Sequence, residues 1–128
     1  MKRSLYILFF IIVLGVLSVS IITSIELLSY DVNSHIWVSF LGRWQCQEKR
    51  YYEIEFFVDE TFTEYHYGIK KETGTVRIVD NKIVLIYDRE SCLRKGLADC
   101  SVNITYNIQR DMLMLDIDGG VLKFLRME

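Results

Sequence analysis

Apolar and polar residues alternate with a period of two along most of the chain after Gly42. The clearest run is SVNITYNIQ (residues 101–109), in which the apolar residues share one face and the polar residues the other. The segment YYEIEFF (residues 51–57) alternates in the same way. One apolar and one polar face per strand is typical of an antiparallel sheet that covers a core on one side. This part of the chain is therefore predicted to be mainly β.

Turn signals divide the region into eight short strands. Asp59-Glu60, Asp80-Asn81 and Asp118-Gly119-Gly120 separate alternating runs, and Gly68 to Glu72 is interpreted as a further turn. Short Asp, Asn and Gly junctions between such runs are typical of tight hairpins. Eight consecutive hairpin-linked strands favour a closed antiparallel up-and-down β-barrel, because closure removes the exposed sheet edges. An open meander is the alternative.

The N-terminal segment has a different pattern. No charged residue occurs from Leu5 to Ile25, and about twenty apolar residues are needed for one helix to cross a bilayer. Residues 1–30 are therefore predicted to be a transmembrane signal anchor. Lys2 and Arg3 precede the run, so the positive-inside rule places the N-terminus in the cytoplasm and the rest of the chain outside, in the periplasm or the extracellular space.

A cleaved signal peptide is the alternative for this segment. Ser18-Val19-Ser20 resembles a cleavage site. The apolar run continues beyond it, however, and the apolar part of a signal peptide is normally shorter, about 7–15 residues.

Composition excludes one class of function. The net charge is -2 and proline is absent. Nucleic-acid binding is not predicted, because it needs a basic stripe or patch. The aromatic content of 13% agrees with a sheet, since aromatic residues are enriched in strands.

The triplet Gly42-Arg43-Trp44 at the start of the first strand resembles the Gly-x-Trp motif of the lipocalins and their calycin relatives. The resemblance implies that Gly42 and Trp44 close one end of an eight-stranded barrel, with Arg126 of the last strand across the Trp44 ring. It also implies a linker and a short helical turn over residues 31–41, followed by a lipocalin-like barrel domain over residues 42–128. The Thr-Asp-Tyr type of motif of the family is not recognisable, and the barrel is short for a ligand-carrying lipocalin.

An eight-stranded barrel is filled by its own side chains or holds one small ligand. The number of large inward residues on short strands favours a filled barrel. If a cavity exists, its predicted lining is aromatic and suits a small apolar ligand. These predicted lining residues are Phe56, Phe62, Tyr87, Tyr106 and Phe124.

The three cysteines have different predicted roles. Cys92 and Cys100 flank the polar segment LRKGLAD, and an extracytoplasmic location permits a disulfide between them. Cys46 lies two residues after Trp44 on the same predicted strand and therefore faces the same, inward side. It is predicted to be a buried thiol. No metal site is predicted, because no Cys-x-x-Cys motif occurs and His35 and His66 lie in unrelated segments.

Two pairs of ionisable residues are candidate catalytic groups. Glu64 and His66 share a strand face, and so do Asp116 and Asp118, a pair that could serve in glycoside hydrolysis. Glu64 and His66 are interpreted as part of a solvated face, because no nucleophile accompanies them. Asp118 lies at a turn, and a chain of this size has no second lobe to form a sugar cleft. The chain is therefore predicted not to be an enzyme and to need no cofactor.

The predicted function is a membrane-anchored extracytoplasmic binding module with a protein partner, in an inhibitor or immunity-type role. Small extracytoplasmic barrels that inhibit cell-wall lysozymes or neutralise delivered toxins are similar in size and layout. The alternatives are a carrier or sensor of a small apolar ligand and a structural subunit of an envelope complex. The contact residues are expected on the loop between Cys92 and Cys100 and just before it, where charges are mixed. They are Arg89, Glu90, Arg94, Lys95 and Asp99.

Overall fold

A computed structural model describes residues 11–13 and 35–128. Residues 11–13 are helical; the rest of the predicted anchor over residues 1–30 lies outside the described residues. Among the residues described, no helix is both long enough and apolar enough to cross a membrane. Trp37–Glu128 forms one compact unit.

Eight antiparallel strands form a closed barrel in which each strand pairs with its chain neighbours and β8 pairs with β1. The predicted up-and-down barrel is confirmed, and the open meander is wrong. The strands are β1 (Gly42–Cys46), β2 (Tyr52–Phe56), β3 (Thr61–His66), β4 (Ile69–Val79), β5 (Lys82–Tyr87), β6 (Ser101–Gln109), β7 (Met112–Ile117) and β8 (Gly120–Arg126).

The hairpin between β3 and β4 is tighter than the sequence predicted. His66 pairs with Ile69, so the connection is only Tyr67 and Gly68, with φ values of 54° and 75°. Positive φ at both central residues is typical of a type I′ turn, whose twist matches the flanking strands. The turn predicted from Gly68 to Glu72 is therefore wrong, because β4 already begins at Ile69 and runs for 11 residues.

The segment between β5 and β6 contains a short helix, α1 (Arg89–Lys95), where the sequence predicted an irregular loop. Glu90 lies in its first turn and two basic residues in its last turn, which complements the helix dipole. Gly96 ends the helix in the left-handed conformation, with φ 67°, as glycine commonly does after a last helical turn. The predicted disulfide Cys92–Cys100 is present and joins α1 to the residue before β6.

The core fills the barrel with inward side chains. Phe40, Trp44, Phe56 and Phe124 are each no more than 2% exposed. Their rings pack edge to face, for example Phe40 on Phe56 with centroids 5.7 Å apart, the geometry that aromatic pairs prefer. Cys46 is a buried free thiol, as predicted, and burial raises its pKa.

Candidate binding site at the open end of the barrel

The two ends of the barrel differ in construction. The closed end carries the helical residues 35–40 and the turns after β2, β4 and β6. The open end carries the turns after β1, β3 and β7 together with α1.

At the closed end, Trp44 and Arg126 lie against each other. The Arg126 guanidinium carbon is 4.2 Å from the centroid of the Trp44 ring, the arrangement that the Gly-x-Trp resemblance implied. The Trp44 indole N–H donates to the Phe40 carbonyl at 2.8 Å. Arg126 donates to the carbonyls of Leu41 and Ser39, the latter at 2.8 Å. These bonds satisfy carbonyls at the end of the helical segment and seal this end of the barrel.

Gly42 has a steric reason to be glycine. Its φ is 111°, which side chains rarely tolerate. A Cβ at this position would lie 3.1 Å from Arg126 Nη1. The glycine therefore lets the Arg126 side chain cross the backbone to reach Trp44.

The open end contains a cavity of about 220 Å³ between the β1–β2 turn, β2, β3, α1, β7 and β8. Its lining combines cationic, acidic, aromatic and aliphatic side chains. The lining residues are Lys49, Tyr51, Tyr52, Glu64, His66, Lys95, Ile117 and Leu122.

Glu64 forms the floor of this cavity. Its side chain is 2% exposed, so the sequence-based interpretation of a solvated strand face is wrong for Glu64. The carboxylate Oε1 accepts from the Tyr87 hydroxyl at 2.5 Å, and Oε2 lies 3.4 Å from Lys95 Nζ. Glu64 shares the inward parity of Phe62, and that parity is the sequence signal that would have found it.

Two tyrosines surround the Glu64 carboxylate. Burial, together with the nearby Glu64 charge and a hydrogen bond to Glu64, raises the pKa of Tyr87 far above its usual value. The pKa of Tyr52 is raised well above 10 by burial first and by Glu64 second. Both phenols therefore stay protonated at neutral pH, and Tyr87 donates a hydrogen bond to Glu64.

Lys95 reaches the cavity from the last turn of α1. One third of its side chain is exposed, and its ammonium lies 4.8 Å from the centroid of the Tyr87 ring. A cation over an aromatic face is stabilised by the ring's negative charge distribution. The ion pair with Glu64 and the ring contact together fix the ammonium at the cavity floor.

A second ion pair holds α1 against β4. Arg94 Nη2 lies 3.2 Å from Glu72 Oε2 and also donates to the Lys71 carbonyl at 3.1 Å. Burial alone would raise the pKa of Glu72, but hydrogen bonds from Ser91 and Arg94 and the charge of Arg94 outweigh it and lower that pKa. The helix that carries Lys95 is thus fixed by a disulfide on one side and by an ion pair on the other.

The predicted contact residues fall into two groups. Arg94 and Lys95 are turned toward the barrel by these ion pairs, whereas Arg89, Glu90 and Asp99 are exposed. Their use by a partner stays a prediction.

The predicted apolar lining residues do not line the open-end cavity. Phe56, Phe62 and Phe124 are buried in the core, and Tyr106 packs on Phe40 with ring centroids 4.9 Å apart. Tyr87 takes part through its hydroxyl, which forms part of the hydrogen-bond network beneath the cavity. Sequence alternation alone missed the polar lining, because its residues come together from four separate elements: the β1–β2 turn, β2, β3 and α1.

A larger, more open groove of about 790 Å³ runs over the β2–β3 turn and strands β3 and β4. Its charged lining residues, Asp59, Lys70 and Asp88, are all exposed. Its one buried polar lining residue is the uncharged Thr63, whereas the open-end cavity has a buried charged group that can orient a ligand, so the smaller cavity is the better candidate site.

Neither site resembles a metal centre, since no group of three or more metal-ligating side chains occurs in the part of the chain that the structure describes.

Comparison with solved structures finds a similar fold in a lipocalin-like protein from Bacteroides uniformis. That crystal structure has a TM-score of 0.59 and 14% sequence identity to this chain, and the similarity covers 70% of this chain and 99% of the other. No protein-family model matches the chain, and no curated protein sequence matches it either. The similarity and the closed eight-stranded barrel together show a lipocalin-like fold, which is typically a binding fold.

Proposed function

We propose that this chain is a membrane-anchored extracytoplasmic binding module whose barrel takes a small ligand at its open end and performs no catalysis. One observation carries the proposal: the barrel is sealed by Trp44 and Arg126 at one end and has a cavity with a buried polar floor at the other. A pocket with a few convergent polar groups is the usual form of a small-molecule site.

The cavity is small and only partly apolar. Its volume of about 220 Å³ lies below the range of about 300–1,000 Å³ that is common for drug-sized ligands. The aromatic and aliphatic lining supplied by Tyr51, Tyr52, Ile117 and Leu122 gives apolar contact area, and the charged residues give orientation. We therefore replace the small apolar ligand predicted from an aromatic lining with a small amphipathic ligand.

The test is native mass spectrometry of the full chain, purified in detergent from its own host under oxidising conditions. We expect a reproducible extra mass that is lost on denaturation. Leu122→Trp should remove it, because Leu122 lines the cavity. Leu125→Trp is the matched control on the same strand, since Leu125 is exposed and lies outside the lining. A clean mass for the wild type, or an adduct that survives Leu122→Trp, would contradict the proposal.

Capture of a protein partner is the second candidate, in the inhibitor or immunity-type role. The observation that favours it is Tyr67, which is 79% exposed at a hairpin tip with φ 54° and stacks on Tyr51 with centroids 5.0 Å apart. A bulky residue held in the left-handed region is an outlier that points to function. Leu93 of α1 adds exposed apolar surface at the same end.

A photo-crosslinking amino acid separates this candidate from the first. Placed at Tyr67, it should form a covalent adduct with one defined protein in the envelope. The control position is Val79, which is 52% exposed and ends β4 at the closed end of the barrel. Equal crosslinking at both positions, or none at Tyr67, would speak against a partner at the open end.

The anchored, extracytoplasmic location is part of the proposal. It is supported by the uncharged run from Leu5 to Ile25 and by the disulfide, since disulfides persist in oxidising compartments. Protease added to intact cells or spheroplasts should digest the barrel and leave a membrane-bound N-terminal fragment. Protection of the barrel in intact spheroplasts would contradict this orientation.

A further inference from the structure

The charged groups around the open-end cavity leave it with a net positive charge. Lys49 and Lys95 line it together with one carboxylate, Glu64. The carboxylate is the most buried of the three, with a side chain 2% exposed, whereas the Lys95 side chain is one third exposed. A ligand that enters from solvent therefore meets the two lysines before the carboxylate.

Glu64 is already bonded to groups of its own chain. One oxygen accepts from Tyr87 and the other faces Lys95. The Glu64 side chain is only 2% exposed, so it presents little surface to a ligand. The role that remains for Glu64 is to orient Lys95.

Lys95 has hydrogen-bonding capacity to spare. Its ammonium has three N–H donors, and one contact within hydrogen-bond distance is with Glu64. The contact with the Tyr87 ring holds the ammonium in place, and the disulfide holds the helix that carries it. A cation immobilised in this way has lost its side-chain entropy before any ligand binds, and preorganisation of this kind increases affinity.

A buried ion pair of this kind has no obvious stabilising purpose. Apolar residues of similar volume are often equally stable or more stable at such positions. Ionisable groups placed together in a cleft are therefore candidates for a functional site.

From this arrangement we propose that the open-end cavity binds a small monocarboxylate with an aromatic or branched apolar body. The carboxylate bonds to Lys95 and Lys49, and the apolar body lies against Tyr51, Tyr52 and Leu122. The inference rests on the proposed function and names its ligand class. The cavity equals about seven water volumes at roughly 30 Å³ each, which limits the ligand to about ten non-hydrogen atoms.

Ligands of other charge fit less well. A cationic ligand meets two lysines at short range, and like charges repel strongly in a partly desolvated site. A neutral amide of the same shape still accepts from Lys95 through its carbonyl oxygen, but it lacks the negative charge and the second acceptor oxygen of a carboxylate. Hydrogen bonds between charged groups are roughly twice as strong as neutral ones, so the amide binds more weakly.

The test compares three probes of similar shape: benzoate, benzamide and benzylamine. The full chain is placed in lipid nanodiscs, and binding is followed by ligand-observed NMR. We expect saturable binding of benzoate, with benzamide about ten- to hundredfold weaker and benzylamine weaker still. Decanoate, which exceeds the volume of the cavity, should not compete with benzoate.

Two variants locate the anion contact. The double variant Glu64→Gln/Lys95→Met removes the ammonium without leaving a bare buried carboxylate, and it should weaken benzoate binding about ten- to hundredfold. Lys49→Met should weaken it less, because Lys49 lies on a turn and is exposed, and among the described residues its side chain has no ion pair such as Lys95 has with Glu64. Lys82→Met is the control: Lys82 begins β5 at the closed end and is exposed. Near-ultraviolet circular dichroism confirms that each variant is folded.

Each outcome has a distinct meaning. Equal binding of benzoate and benzamide would overturn the carboxylate inference and leave the small-ligand function standing. The same holds for a native mass adduct in a protein that binds no small carboxylate. Absence of both the adduct and all probe binding in the folded protein would overturn the proposed function as well. Unchanged benzoate binding by the double variant would overturn the role of Lys95.

Discussion

The two ends of the barrel use the same kinds of side chain for opposite purposes. At the closed end the cation of Arg126 lies on an aromatic ring and donates to backbone carbonyls, next to a fully buried core. At the open end the cation of Lys95 also lies on an aromatic ring, but it pairs with a buried carboxylate beside a cavity. The first arrangement stabilises the fold. The second has a desolvation cost that packing alone does not justify, and it marks the end of the barrel that we assign to binding.

The largest loss of stability is expected from a substitution at the closed end. Trp44→Ala removes a side chain that is 0% exposed and its hydrogen bond to Phe40. Truncation of a buried tryptophan costs about 3–5 kcal/mol, measured by denaturant unfolding with the disulfide intact. Trp37→Ala is the matched control and should cost less, because Trp37 is only half-buried. An equal or greater loss at Trp37 would contradict the role of Trp44 as the seal.

The next effect tests whether the open end is built for stability. Lys95→Met alone leaves Glu64 buried without its cation and should destabilise the barrel by about 2 kcal/mol. This is less than the 3–5 kcal/mol typical of a fully buried pair, because Lys95 is partly exposed. Glu64→Gln/Lys95→Met should recover most of the loss, since no buried charge remains and the amide oxygen still accepts from Tyr87. A double variant less stable than Lys95→Met would indicate that the ion pair is a net stabiliser.

Alkaline pH should weaken the open end specifically. The pKa values of Tyr52 and Tyr87 are raised in the folded state, so these phenols stay neutral there while the unfolded chain ionises near pH 10. Their contribution to stability is full below pH 10 and declines above it, by about 1.4 kcal/mol per pH unit for each tyrosine. Tyr87→Phe and Tyr52→Phe should each flatten the decline of the unfolding free energy between pH 10 and 11. An unchanged slope in both variants would contradict the burial of the two hydroxyls.

The smallest effect is expected from relief of backbone strain at the β3–β4 hairpin of the open end. Tyr67→Asn places a residue that tolerates the left-handed conformation at φ 54° and should stabilise the barrel by up to about 1 kcal/mol. Gly68→Ala should destabilise the barrel, because Gly68 also has positive φ, which alanine rarely adopts. The added Cβ would meet nothing within 4 Å, so the loss of stability reports backbone strain alone. Thermal unfolding measures both. A destabilised Tyr67→Asn variant would mean that stacking on Tyr51 outweighs the strain.

Alternation and turn chemistry were sufficient to predict the barrel, because a period of two and short Asp, Asn and Gly junctions are local signals. Alternation also predicted the buried Cys46. The Cys92–Cys100 bridge was predicted from the two cysteines that flank one polar segment and from the extracytoplasmic location. Alternation and turn chemistry did not predict α1, since a seven-residue helix is too short to show an apolar period. The inward position of Glu64 was not predicted, because a charged residue on a strand is normally assigned to the solvent face. Its spacing of two residues from the buried Phe62 indicated the opposite face. The cavity could not be predicted, since its lining is assembled only when the barrel closes.

The up-and-down topology also sets an order of assembly. Seven of the eight strand pairings join consecutive strands. Six of these close a short turn, and the β5–β6 pairing closes the longer connection that contains α1. The pairing of β1 with β8, which sets Trp44 opposite Arg126, joins the two ends of the domain and carries the largest loop-closure entropy. The Arg126–Trp44 contact therefore requires all eight strands, because β8 is the last of them to be synthesised. Until β8 pairs, the edge of β1 that faces it is open and prone to aggregation. The Arg126–Trp44 contact therefore distinguishes a closed barrel from an incomplete sheet.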